Sequence, residues 1–416
     1  MAIYSSTPCT IFQTEGSFTY FLLAGIKQGL PLSPWLFLFY INDIFDLFNA
    51  LYNSDTILET IHLLIHADDT TIIATSRELA EAKVRTLLTY CSINHISLQL
   101  SKCEFIVING NADDKMNFVL EHGTIRHVAH VTLLGSHLSE SGNIKDDLKL
   151  HMKHRYLPVS KFFNFLRTNK LAPTAVKLKV LEACVASALL HNCEAFGDLI
   201  PDDLESLYYT LIKAALGVRK NTANDLVLIE SGLVSLKGRI QCRQRKWYEK
   251  FVENLQPGST RHNIFAFLQT QRSSFLRHYG QIMHNFDSID SIRSHFMNEN
   301  RDKIIRLANN GSHYKYQLYM LFNPQLKAKN HMRDSSNTFS KLCLSSHSMP
   351  IELGRWNRIS RENRLCSNCR VLGDEKHFIY HCPTIDRSKC LDIPTLSELY
   401  SYDKLPDLLR ALALYL

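Results

Sequence analysis

A mixed α/β (α+β) chain is predicted, in which an antiparallel sheet and its helices give way to a mainly helical domain and then to a small cysteine-rich unit. Three observations carry this. Short apolar runs alternating with polar residues, such as "HLLIHADDTTIIA" from His62 to Ala74, read as half-buried strands in the first 140 residues. From about Lys145 to Asn254 the apolar spacing becomes helical, in "LKLHMKHRYLPVSKFFNFLR", "TAVKLKVLEACVASALLHN" and "LESLYYTLIKAALGV". Near the end, "RWNRISRENRLCSNCRVLGDEKHFIYHC" gathers cysteines and a histidine at metal-ligand spacing. Helices packed on one face of an antiparallel sheet are the natural product of the first pattern.

The elements follow in order. "GSFTYFLLAGI" reads as a strand and is followed by the turn-rich "KQGLPLSP". Ser33 is a suitable N-cap with Pro34 at the first helical position, opening "WLFLFYINDIFDLFNAL", a helix apolar nearly all round and therefore expected to be buried. In the hairpin, Ile61, Leu63 and Ile65 alternate with His62, Leu64 and His66. Thr75 and Glu78 predict a capping box for a helix with Val84, Leu87, Leu88 and Cys91 on its inner side. "CEFIVI" reads as a further strand before the polar "NGNADDK". Loops are expected at "NLQPGSTRHN" and "NHMRDSSNTFS". These patterns divide the chain into 1–140, 141–260, a helical linker region 261–338 and a C-terminal unit 339–416.

With 416 residues and 45% hydrophobic content the chain can bury two or three ordinary cores. Its net charge of +7 suits a polyanionic partner. The eleven cysteines, mostly isolated in apolar segments, argue for reduced thiols rather than a disulfide framework. No basic start followed by an apolar core marks a secretory signal, and the most apolar run, Trp35 to Leu51, is interrupted by Asp43 and Asp46, so no membrane partner is expected.

Two motifs point to chemistry. Asp68 and Asp69 sit side by side at the hairpin tip, where like charges repel unless a cation or water separates them. Rigidly held paired carboxylates suit Mg²⁺, which prefers oxygen ligands and accepts phosphate in its shell. The second motif, Cys366, Cys369, His377 and Cys382, gives Cys-x₂-Cys-x₇-His-x₄-Cys, a set that closes a tetrahedral Zn²⁺ site of structural type; His381 is an alternative fourth ligand. Arg355, Arg358, Arg361 and Arg364 recur every third residue just before it, a spacing that on a helix spreads a basic face for phosphates, with Trp356 nearby for stacking. The run "KGRIQCRQRKWYEK" offers a second basic patch.

In order and spacing, "GIKQGLPLSPWLFLFYINDI", "LIHADDTTIIA", "LQLSKCEFIVI" and "VTLLGSHLSESGNI" resemble the later palm motifs of reverse transcriptases from non-LTR retrotransposons. The segment "LGVRKNTANDLVLIESGLVSLKGRIQCRQRKWYEKF" is similar to the helical region beyond that palm, and a similar zinc knuckle follows the polymerase in many such elements. The resemblance implies a partial reverse-transcriptase palm over 1–140, a helical thumb-like domain over 141–260 and a zinc knuckle within 339–416. It further implies RNA-directed DNA synthesis on an RNA template from a DNA primer, with Asp68 and Asp69 as catalytic ligands of Mg²⁺ and Lys102 beside the leaving pyrophosphate. Gln28 and Gly29 would approach nucleotide and template, and Gly135 would belong to the primer grip. A location in nucleus or cytoplasm follows from the family. Two departures stand out: His66 replaces the usual aromatic residue before Ala-Asp-Asp, and none of the 27 residues before Gln28 is an Asp, whereas the family's first catalytic aspartate lies upstream of that loop. The expectation is therefore an N-terminally truncated copy, inactive by itself; the alternative is a non-enzymatic nucleic-acid-binding zinc-knuckle protein derived from such an element.

Overall fold

The computed structural model describes residues 7–13, 16–22, 31–52, 61–121, 123–271, 274–311, 313–328, 337–390 and 392–416. The chain forms two compact units, one of residues 1–131, 139–142 and 255–271 and the other of 132–138, 143–254 and 272–416. Among the described residues no helix is long and apolar enough to cross a membrane.

The first unit opens with the antiparallel strands β1 (Thr7–Gln13) and β2 (Gly16–Leu22). Two short helices follow, α1 (Ser33–Tyr40) and α2 (Ile44–Leu51), where one continuous buried helix was expected. The Ile41–Asp43 turn breaks it, and the Asp43 carboxylate accepts the Tyr90 hydroxyl instead of facing solvent along a helix. Leu32, not Ser33, is the N-cap, and α1 has no buried residue: Trp35 is 71% and Phe39 74% exposed. Ile41, Ile44 and Phe48 are the buried residues of this segment, with Phe37 and Leu47 half-buried against them. In the core they meet Leu63, Leu87, Tyr90 and Cys91.

Strands β3 (Leu63–His66) and β4 (Asp69–Ile72) form the expected hairpin. Helix α3 (Arg77–Ile93) starts one residue later than the Thr75 capping box requires. Its cap is Ser76, whose Oγ accepts from the Leu79 amide at 3.2 Å, while Arg77 is drawn to Glu81 at 3.3 Å and to the Asp114 carbonyl at 3.0 Å. Val84, Leu87 and Cys91 are buried as the spacing predicted. "CEFIVI" yields only β5 (Glu104–Phe105), because its partner β7 (Gly123–His127) ends at the residue that pairs with Phe105. That pair is parallel; β6 (Phe118–Leu120) lies antiparallel on the other side of β7. Leu100, Val84, Phe118, Leu120 and Ile125 form a second small core there.

The second unit is helical. Helices α4 (Ile144–His154), α5 (Tyr156–Thr168), α6 (Thr174–Val180), α7 (Asp202–Ala215), α8 (Asn224–Ser231) and α9 (Leu236–Glu253) follow one another. After them come α11 (Ser274–Asn285), α12 (Ile289–Asn309), α13 (Tyr314–Phe322), α14 (Thr338–Cys343), α15 (Pro350–Trp356) and α16 (Leu405–Ala411), while α10 (Thr260–Thr270) belongs to the first unit. A single apolar core runs from Leu148 through Leu211, Ile229 and Leu318 to Cys366, Cys382 and Leu408. The cysteine-rich segment thus shares its interior with the helices.

Candidate active-site hairpin and metal centre

The hairpin is tight: His66 pairs with Asp69, leaving Ala67 and Asp68 as the two turn residues. Ala67 takes φ +53°, a left-handed conformation that costs an L-residue on the order of 1 kcal/mol or more. The surroundings hold it there. Leu63 is buried, Ile65 and Ile72 pack on the Phe48–Leu87–Tyr90 core, and the Ile73 amide extends the ladder to the His62 carbonyl at 3.0 Å. At the root, the buried Lys83 ammonium donates to the Ile73 carbonyl at 2.7 Å. Burial, with Lys83 adding to it, pushes the His62 pKa down, so this imidazole stays neutral. The outcome is a rigid stalk with both carboxylates exposed at its tip. Among the described residues the one group of three or more possible metal-ligand side chains is the C-terminal one, and none of these residues joins Asp68 and Asp69 in such a group.

The other expected palm residues are placed as follows. Lys102 ends a 3₁₀ turn, Leu100–Lys102, with its side chain exposed and Leu100 buried beneath. Gln28 and Gly29 lie outside the described residues. Gly135 sits in a second two-residue turn, between β8 (His130–Leu133) and β9 (Ser136–Ser139), where Leu134 takes φ +48° and Gly135 φ +80°. Two positive φ values are what a type I′ hairpin turn needs. Its carbonyls are held from the helices: His191 Nε2 lies 2.9 Å from the Leu134 oxygen and Arg155 donates to the Gly135 oxygen at 2.9 Å. A Cβ at Gly135 would stand 2.8 Å from His191, so the position admits only glycine for steric as well as torsional reasons.

The C-terminal ligand atoms of Cys366, Cys369, His377 and Cys382 all lie within 4.8 Å of one another. The Cys366 amide donates to the Val371 carbonyl at 2.8 Å, and Arg370 takes φ +59°, which turns the chain back so that Cys369 meets Cys366. Asp374 caps the following turn by accepting the His377 amide at 2.9 Å. Cys382 Sγ is 3.8 Å from both Cys366 and Cys369 sulfurs and 2.9 Å from Thr384 Oγ1. Burial works to raise the Cys382 thiol, yet hydrogen bonds from Thr384 and the two thiols hold it below its ordinary range. His377 Nε2 is buried with no hydrogen-bond partner, an orphaned donor-acceptor atom that a metal would satisfy. Three sulfurs and one imidazole at this closeness fit Zn²⁺. His381 is exposed and stands outside the group.

The arginines before the centre do not form a helical face. Helix α15 ends at Trp356, Arg358 takes φ +57°, and Arg361 begins a separate 3₁₀ turn. Arg364 donates to the Ile359 and Ile351 carbonyls, at 2.9 and 3.2 Å, and so serves the local fold. Arg355 pairs with Glu352 at 2.7 Å and Arg361 lies over the Tyr314 ring at 3.9 Å. On α9 likewise, Arg239 binds Glu182 and Arg243 binds Glu194, while Lys237, Lys246 and Lys250 face solvent.

A broader basic surface was missed in the sequence. From Leu148 to Leu181 there is no Asp or Glu, and Lys149, Lys153, Lys161, Arg167, Lys170 and Lys179 are exposed there. Val159 and Phe162 turn inward on α5, so Tyr156 (61% exposed), Lys161, Phe163 (41%) and Arg167 turn outward. Absence of acids over so long a stretch was the available signal.

Residues 3–138 match the family model described as reverse transcriptase (RNA-dependent DNA polymerase). No curated protein matches the chain.

Proposed function

From the premise that residues 3–138 are a reverse transcriptase domain, we propose that the chain is the later palm, thumb-like region and zinc-holding segment of an RNA-directed DNA polymerase of non-LTR retrotransposon type. The observation that carries this reading is the exposed Asp68–Asp69 pair on a strained turn inside the matched domain. When bound there, Mg²⁺ supplies charge neutralisation at the attacking primer oxygen and at the leaving phosphate. Asp68 and Asp69 hold the cation side of the site, Lys102 stands toward the pyrophosphate, and Gln28, Gly29 and the Gly135 hairpin position nucleotide, template and primer end. Among the described residues Asp68 and Asp69 are the acids at the hairpin tip, and a two-metal site uses a third carboxylate beside such a pair. Zn²⁺ belongs to Cys366, Cys369, His377 and Cys382 and has a structural role, because four protein ligands leave no open position.

Nucleic acid is held by the acid-free face of α5 rather than by a helix of Arg355, Arg358, Arg361 and Arg364. The exposed rings of Tyr156 and Phe163 beside Lys161 and Arg167 suit bases and phosphates together. Changing Lys161→Ala and Arg167→Ala together is expected to weaken binding to all sequences alike and to reduce the slope of log affinity against log salt by roughly one unit for each phosphate that is no longer neutralised. Fluorescence anisotropy over a salt series measures it. An unaltered slope in the folded double variant removes α5 from the interface. Nucleic-acid binding that persists while extension stays absent even with the first-aspartate segment added favours the non-enzymatic alternative.

A further inference from the structure

Arg219 lies in the turn between α7 and α8, far in sequence from the cysteine-rich segment, yet its guanidinium carbon stands 3.4 Å from the centre of the Trp356 ring. Its backbone amide donates to Ser346 Oγ at 2.8 Å, which fixes the residue at that spot. Trp356 is thereby engaged, and is not free to stack on a base. A guanidinium stacked over an indole keeps its N–H donors in its own plane, parallel to the ring, pointing outward and unused by the stacking. Among the described residues no side-chain hydrogen bond or ion pair of Arg219 is found.

The charge around it is lopsided. Glu352, with a side chain only 3% exposed, takes Arg355 at 2.7 Å and Lys315 at 3.1 Å. It is also the acid that favours the charge of Arg219, against burial and against Arg355. Glu352 and, toward Lys315, Glu375 therefore serve three cations, a surplus of one. Arg358, exposed in its positive-φ turn, adds a further positive charge beyond α15. Glu362 is exposed and held by Ser360, and Glu375 meets His347 at 2.9 Å inside the core. A pre-oriented planar donor with uncompensated positive charge beside it is suited to a bidentate oxyanion.

We propose that Arg219, laid on Trp356 and flanked by Arg355, forms a phosphodiester-binding site in the helical unit. The ligand is the sugar-phosphate backbone of a nucleic acid, so the proposal rests on the nucleic-acid-binding reading above while adding a site which that reading does not contain. Recognition is sequence-independent, since nothing here reaches a base edge.

The full chain is tested with a fluorescein-labelled single-stranded RNA and the matching RNA–DNA duplex across a salt series. Arg219→Ala is expected to weaken binding about tenfold and to remove roughly one unit of salt slope. Arg219→Lys is expected to keep the slope and still lose affinity several-fold, because an ammonium cannot lie flat on Trp356 and present two parallel donors. Thermal stability in phosphate against chloride at equal ionic strength reads the site without nucleic acid: phosphate is expected to raise the midpoint of the wild-type chain, that of Arg219→Lys less, and that of Arg219→Ala not at all. Wild-type affinity and slope in both Arg219 variants, with no phosphate effect, overturn the proposal while leaving the α5 interface standing. A phosphate effect that depends on Arg219, in a chain that binds neither RNA nor duplex, keeps the oxyanion site and overturns the nucleic-acid reading. Should Arg219→Ala fail to fold, Arg219→Lys decides alone.

Discussion

Stripping zinc from the chain with a chelator, or changing Cys366→Ser and Cys382→Ser together, is expected to melt the helical unit rather than to release a C-terminal knuckle. Cys366 and Cys382 lie in the same apolar core as Leu211, Ile229, Leu318 and Leu408. Around them, Arg387 donates to the carbonyls of Phe378 and Cys382 at 2.7 Å and of Ile379 at 2.8 Å, gathering the turn that carries two of the ligands. The buried His347–Glu375 hydrogen bond, 2.9 Å, ties the same loop to the α14–α15 connection. Tyr415 packs its ring on Phe378 at 4.4 Å and accepts the Ser348 amide at 2.6 Å. Zinc held by such ligand sets contributes an apparent ~10–16 kcal/mol near neutral pH, as much as the ~5–15 kcal/mol by which a whole domain is stable. Metal analysis should give about one Zn²⁺ per chain. Circular dichroism should then show helix lost with the metal, and hydrogen exchange should rise in α7 and α8. A chain that refolds in zinc without retaining it, or a double variant melting like the wild type, removes zinc from this centre.

The second large effect concerns Asp68. A polypeptide of residues 1–416 is expected to give no primer extension on an RNA template with Mg²⁺ or Mn²⁺. Adding a segment that carries the family's first aspartate, fused or in trans, should restore it. In that restored enzyme Asp68→Ala should lower the rate at least ~10³-fold, about 4 kcal/mol of transition-state stabilisation. The basis is that each ligand of a two-metal site holds charge that develops on the reacting oxygens. Asp68 occupies the turn itself, next to the strained Ala67, whereas Asp69 already belongs to β4. Replacing Asp69 should therefore disturb the hairpin as well as the chemistry. Robust extension by residues 1–416 alone, lost on Asp68→Ala, would show that two acids suffice.

Several features were legible in the sequence because they depend on near neighbours. Alternation over Leu63–Ile65 and Thr71–Ile72 and a two-residue turn specify a hairpin, and Cys-x₂-Cys brings two sulfurs together by its own short loop. Helical spacing likewise placed Val84, Leu87 and Cys91 on the inner side of α3. Elsewhere distant residues decided the outcome. Asp43 broke the apolar helix when Tyr90 claimed its carboxylate, and Arg77 drew the start of α3 past Thr75 by bonding carbonyls near residue 114. The regular three-residue spacing of Arg355 to Arg364 suggested one helical face, but the positive φ at Arg358 interrupts it and Arg219 takes the Trp356 ring.

By itself, then, the sequence determined the paired acids, the Cys366, Cys369, His377 and Cys382 cluster and the helical character of the second half, since each is written in spacings of a few residues. Only tertiary structure decided that Cys366 and Cys382 lie in the core of the helices, that α5 turns Lys161 and Arg167 outward and that Arg219 lies over Trp356. The physical reason is that burial and charge pairing depend on which distant acid, ring or carbonyl reaches a side chain first, and a local pattern does not contain that competition.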